Sequence, residues 1–314
     1  MQIKPLNASI ERSNIVDIWK QMWNHLMPEE PTLTGEEFNT LLIREDQTVI
    51  ERDLLVTVDN QEKIIGYTGL MKSSTRDYWR IMNVVLPEYI QSNLPGKQLD
   101  AIVNLAKKQA APKLRFYSRE GFNPLNKKLK EMGIKPIQYG WWMRLDDFES
   151  LPQSVIPSGI KLKKQKDIDN LNQYIAVYNE VHKDAFEFEP YTEEKIKYFF
   201  NQMKNYLDIE HCFALDGNEL VGLCYITNDP EKQHIGTINS VGVLPSYRYQ
   251  GIGSALMMFG IQLQREKKCK MIELSVMADN EQALALYKKF GFYKLALRTQ
   301  YIYEVNPFEY VNKL

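Results

Sequence analysis

The feature that most constrains this chain is a repeat of itself. Val85-Leu86-Pro87 precedes Tyr89 as Val243-Leu244-Pro245 precedes Tyr247, and 243 − 85 = 158. Gly133 matches Gly291, and 291 − 133 = 158. Landmarks far apart keep one offset, the mark of a tandem duplication. The apolar periodicity runs in the same order in both copies. In the first, a strand at Trp79 to Leu86 is followed by a helix at Leu99 to Ala110, a strand at Leu114 to Tyr117, a helix at Leu125 to Met132 and a closing strand at Tyr139 to Leu145. In the second, the order is Ile235 to Val243, Ser254 to Lys267, Met271 to Val276, Asn280 to Phe290 and Tyr301 to Val305. A first domain over 1–146, a linker over 147–159 rich in acids, Pro and Ser, and a second domain over 160–314 follow from this.

The composition is that of an ordinary globular protein, 44% hydrophobic and 25% charged. A net charge of -1 gives no global pull toward nucleic acid or a membrane. No apolar run approaches the ~20 residues of a membrane span, and Met1-Gln2-Ile3-Lys4-Pro5 lacks the apolar core of a signal peptide. Cys212, Cys224 and Cys269 lack metal-type spacing and read as reduced thiols of a cytoplasmic protein without a metal.

The chemistry concentrates where the second copy passes from strand to helix, Val241 to Leu256. Apolar residues give way to Arg248-Tyr249-Gln250-Gly251-Ile252-Gly253, and a helical pattern starts at Ser254. Strand, glycine turn and helix leave backbone N–H groups free to hold an anion. A P-loop would carry Lys-Ser or Lys-Thr after the second glycine, where this chain has Ser254-Ala255. A dinucleotide fingerprint would place its third glycine earlier than Gly260. In the first copy the positions matching Arg248, Gly251 and Gly253 are Ile90, Asn93 and Pro95. Proline has no N–H to give and Asn93 fills space, so that copy reads as a domain without the loop.

The string from Arg248 to Gly253 resembles the Arg/Gln-x-x-Gly-x-Gly/Ala signature of the GNAT acyltransferases. The resemblance extends upstream through Val243-Leu244-Pro245 and downstream to Asn280, Tyr287 and Phe290-Gly291-Phe292. It implies an α+β fold of two tandem domains, each a twisted, mixed, mostly antiparallel sheet flanked by helices. It implies that Ile235 to Val243 and Met271 to Val276 splay apart around acyl-coenzyme A. The pantetheine arm would pair with Val241 and Val243 and the pyrophosphate would rest on Arg248, Tyr249, Gln250, Gly251, Ile252, Gly253 and Ser254. Asn280 would touch the cofactor, cap its own helix, or both.

The reaction so implied is N-acetyl transfer from acetyl-CoA to a primary amine by direct attack. An alkyl ammonium of pKa about 10 must first lose a proton, and a departing thiolate benefits from a proton donor. Tyr287, two helical turns from Asn280, matches the family's donor to the sulfur. Many members carry an acidic base on the strand before Val241. Here Ile238-Asn239-Ser240 has none, so Asn239 and Ser240 are expected to order a water, with Glu273 and His182 as alternatives. Glu187 and Glu189, alternating with Phe186 and Phe188, either face a cationic small-molecule amine or are solvated. A protein or peptide N-acetyltransferase, and a non-catalytic acyl-CoA sensor, remain as other readings.

Overall fold

The structure, a computed structural model, describes residues 1–6, 12–26, 50–72, 77–120, 122–166, 168–186, 188–204, 207–229 and 234–305. Its elements in chain order are β1 (Gln2–Pro5), α1 (Arg12–Leu26), β2 (Leu54–Val58), β3 (Ile64–Met71), β4 (Trp79–Val85), α2 (Leu94–Lys108), β5 (Lys113–Arg119), α3 (Asn123–Glu131) and β6 (Pro136–Leu145). The second half adds β7 (Ile160–Gln165), α4 (Leu171–His182), α5 (Glu193–Lys204), β8 (Asp208–Asp216), β9 (Glu219–Asn228), β10 (Ile235–Val243), α6 (Ile252–Glu266), β11 (Met271–Met277), α7 (Glu281–Lys289) and β12 (Tyr293–Glu304). The repeat holds element by element. Helices α2 and α6 start 252 − 94 = 158 residues apart, β5 and β11 start 271 − 113 = 158 apart, and α3 and α7 start 281 − 123 = 158 apart.

Two compact units result, Met1–Tyr139 with Leu297–Leu314, and Gly140–Ala296. The repeat would end the first copy after β6, whereas packing divides that strand and also β12. Residues of β12 from Arg298 to Glu304 pair with β5 in unit 1, and Gly140 to Leu145 of β6 pair with β11 in unit 2. The unit 1 strands run β1-β2-β3-β4-β5-β12 and the unit 2 strands β6-β11-β10-β9-β8-β7. Neighbours are antiparallel except β4 with β5 and β10 with β11. Those parallel pairs are short. Strand β10 meets β11 only over Ile235 to Thr237, and β4 meets β5 only at Trp79 and Arg80. Past those residues the strands part, as the resemblance implied.

Apolar faces decide what covers each sheet. In unit 2, α6 and α7 pack Leu256, Ile261 and Phe290 on Ile272 and Leu274. On the opposite face, α4 and α5 pack Tyr174 and Phe200 against Phe213 and Leu223. Unit 1 closes around Leu99, Ile102, Phe116 and Leu129. Helix α2 begins at Leu94, five positions before the apolar pattern suggested (99 − 94 = 5). Pro95 sits in its first turn, where a missing N–H costs nothing. The last strand likewise starts earlier than Tyr301, at Tyr293.

Candidate active site

Two Asn residues cap helices of unit 2 in the ordinary way. Asn170 accepts from the amide of Gln173 and Asn280 from the amide of Ala283, both at 3.0 Å. Helix α6 differs. Its N-cap is Gly251, at φ 89°, with no side chain to satisfy the first-turn amides. That left-handed conformation is one a Cβ opposes. Among the described residues no protein acceptor meets the amides of Tyr249, Gln250, Gly251, Ile252, Gly253 or Ser254. The Arg248 amide does donate, to the Pro245 carbonyl at 3.3 Å, so the free set begins at Tyr249. Ile252 is buried and anchors the helix start, while Tyr249, also at positive φ, is 91% exposed. Gln250 turns its side chain back to the Ser246 carbonyl. Lys289 reaches the Ser254 hydroxyl from α7, with Nζ 3.5 Å from Oγ, and brings a positive charge to the helix start.

The main chain of β10 is also directed suitably. Leu244 N–H bonds the Val221 carbonyl on β9 at 2.9 Å. By antiparallel alternation the polar groups of Val243 and Val241 then point away from β9, into the space where β11 has diverged. Arg248 agrees with this, since its Nε donates to the Val243 carbonyl from that side at 3.1 Å. The guanidinium therefore lies at the mouth of the gap. A ribbon-like amide arm fits along Val241 and Val243, and a diphosphate fits the uncapped amides.

Unit 1 also parts its strands, with Leu86 N–H on the Ile65 carbonyl at 2.9 Å, but it lacks the uncapped loop and fills the gap. The Ser92 hydroxyl takes the Leu94 amide at 3.1 Å, and Pro95 has no amide hydrogen. Asn83, the counterpart of Val241 (241 − 158 = 83), donates from its side chain to the Pro95 carbonyl at 3.0 Å. Protein thus spans the place where the arm would pass. Glu131 stands where unit 2 has Lys289 (289 − 158 = 131).

Tyr287 lies in the α6/α7 core, 8% exposed. Burial, with a smaller contribution from Cys224, pushes its phenol up to about 12. Its hydroxyl has no protein partner among the described residues. Asn239 donates to the Thr227 hydroxyl at 2.8 Å, and the Ser240 hydroxyl meets His182 Nε2 at 2.9 Å. Glu273 is buried, its Oε1 accepting from Arg144 Nε at 2.9 Å and Nη2 at 2.5 Å. Glu189 is exposed and pairs with Lys195 at 3.3 Å, and Glu187 lies outside the described residues. Sequence reasoning ranked His182 low because nothing in the string brings it to Ser240. It also passed over Lys289 and the whole of α5. The available signal was divergence between copies, which put Trp23 (α1 and α4 start 171 − 12 = 159 apart) and Met82 at the positions of His182 and Ser240.

Residues 174–292 match the family described as Acetyltransferase (GNAT), and that stretch carries the uncapped loop, the parted strands and Tyr287. That part of the chain is a GNAT acetyltransferase domain. Similar curated proteins include a mycothiol acetyltransferase of Paenarthrobacter aurescens, 27% identical over 217 residues. The match takes in 66% of this chain and 65% of that relative, just under two thirds of its length. A solved GCN5-related N-acetyltransferase from Sphaerobacter thermophilus superposes with TM-score 0.73 at 18% identity, covering 98% of this chain and 96% of that one. A tandem GNAT protein from the clavulanic acid biosynthesis pathway gives TM-score 0.71 at 16% identity, covering 98% and 99%. At such identities these two show the fold, a tandem GNAT arrangement. No described helix is long and apolar enough to cross a membrane.

Proposed function

We propose that unit 2 of this GNAT protein binds acetyl-CoA and transfers the acetyl group to a primary amine of a small molecule, in the cytoplasm. The carrying observation is the set of uncapped amides from Tyr249 to Ser254 at the end of a strand whose neighbour has moved away. Val241 and Val243 would hold the pantetheine arm, and Asn280, whose side chain caps α7, would stay beside it rather than reach for it. Transfer of an acetyl group to a small acceptor is supported by relatives named mycothiol acetyltransferase. No metal enters this reading.

The thioester supplies an activated carbonyl, and the residues supply position and proton management. With its phenol near 12, Tyr287 keeps its proton throughout the physiological range. Full transfer to a thiolate of pKa ~8.5 is uphill by about 5 kcal/mol at ~1.4 kcal/mol per pKa unit. Tyr287 therefore acts by hydrogen-bonding the sulfur as charge builds there. The test is calorimetry with coenzyme A together with thiol release across a panel of amines. Binding with turnover on a small amine is expected. Binding without turnover on any amine marks a sensor, and turnover confined to peptides marks a peptide acetyltransferase.

A further inference from the structure

Strand β10 carries an irregularity that its counterpart lacks. Its pairing with β9 shifts between Ile238 and Ser240, leaving Asn239 as one extra residue. Comparing the copies gives the same count. Trp79 faces Leu114 as Gly236 faces Ile272, and 272 − 114 = 158 whereas 236 − 79 = 157. Strand β4 pairs with β3 without a shift from Met71 to Gly66.

One extra residue turns every later side chain to the other face. Ile238 points toward α6, within 3.7 Å of where a Cβ on Gly260 would lie. Ser240, two residues on, would face the same way in a regular strand. It faces α4 instead, 2.9 Å from His182 Nε2. Gly242, next on that face, lets α4 come close, since a Cβ there would sit 2.1 Å from Val181 Cγ1. The bulge, His182, Ser240 and the uncapped loop all occur in unit 2, and unit 1 has a regular strand, Trp23, Met82 and a filled loop.

We infer that His182, acting through the Ser240 hydroxyl, accepts the proton of the acceptor amine, an assignment that rests on the transferase reading above. The ring suits the task. It packs on Tyr178 of α4 at 4.5 Å between centroids, and Tyr178 packs on Tyr191 at 4.8 Å. Burial holds the imidazole below its ordinary value, so it is neutral at pH 7 and able to accept. The side chains facing it are Ser240 from β10 and Tyr178 from its own helix. Of the charges flanking it, Lys183 is drawn to Glu180 at 2.7 Å, Asp184 follows Lys183, and Arg248 of the loop is held at Val243. Glu273, the other alternative, is committed to Arg144.

The atoms balance as follows. The amine nitrogen bonds the carbonyl carbon, the carbon–sulfur bond breaks, and its electron pair leaves on sulfur beside Tyr287. The nitrogen's surplus proton passes to Ser240 Oγ while the serine's own hydrogen passes to His182 Nε2. Solvent then takes the proton from the imidazolium and supplies one to the thiolate.

His182→Gln is expected to lower kcat/KM about 10²-fold at pH 7 and to abolish the acid limb expected of the wild type below pH 6.5, with coenzyme A affinity unchanged. Ser240→Ala should lower the rate as well, and should move the His182 ring titration followed by NMR in the protein without ligand. An acid limb that survives in His182→Gln with its midpoint unchanged, or a ring titration indifferent to Ser240→Ala, overturns the assignment and leaves the transferase reading standing. Wild-type protein that binds coenzyme A and acetylates no amine overturns both.

Discussion

Tyr287 is buried, yet its hydroxyl meets no protein acceptor among the described residues. Phenylalanine should therefore replace it without opening a cavity or orphaning a partner. We expect Tyr287→Phe to cut kcat about 10²-fold, the usual cost of one hydrogen bond to a developing negative charge, with coenzyme A affinity and melting temperature nearly unchanged. Stopped-flow and steady-state rates check this. Gly251 makes the complementary case. At φ 89° any side chain is strained, and a branched one also stands in front of the amides. Gly251→Val should weaken coenzyme A binding by tenfold or more in calorimetry, and Asn93→Val in unit 1 should leave it alone. Tyr287 and Gly251 can both be proposed from the string, because glycine spacing and Asn280-to-Tyr287 spacing are local properties. His182 stands there only as an alternative base, because its partner is set by a one-residue slip in another element.

That slip belongs to β10, and nothing in Ile238-Asn239-Ser240 announces it. The strand has no glycine or proline at the bulge, so period-2 reading continues through it and assigns Ser240 to the wrong face. Helix α5 was missed for another reason, since among its described apolar side chains only Ile196 and Phe200 are buried, too few for an apolar row to stand out. By contrast α6 and α7 were placed within a few residues, because a glycine turn and an Asn cap mark their starts. The close approach of α4 to β10 yields a test. Gly242→Ala must displace Val181, and overpacking of this kind costs about 1–3 kcal/mol. Urea denaturation should show that loss, and Val181→Ala added to it should recover part. The same displacement moves His182 from Ser240, so kcat should fall in Gly242→Ala beyond what Val181→Ala does alone.

The repeat fixed the count of units before any strand was placed, and the offset of 158 carried from landmark residues to entire helices. It assigned Tyr139 to Leu145 to the first copy and Tyr301 to Val305 to the second, whereas Gly140 to Leu145 pair with β11 and Arg298 to Glu304 with β5. Arg144 of β6 and Glu273 of β11 illustrate the difference. They lie 129 residues apart and form a buried pair inside unit 2, so the closing strand of the first copy serves the second unit. Removing one member leaves the other charge buried and alone, and Arg144→Ala should cost about 3–5 kcal/mol in urea denaturation. Strand β5 has the reciprocal need, for residues of β12. A ribosome therefore releases nearly all of unit 1 long before the strand that seals its edge exists. Until Arg298 to Glu304 emerge, the nascent protein carries β5 with one edge open to unwanted pairing.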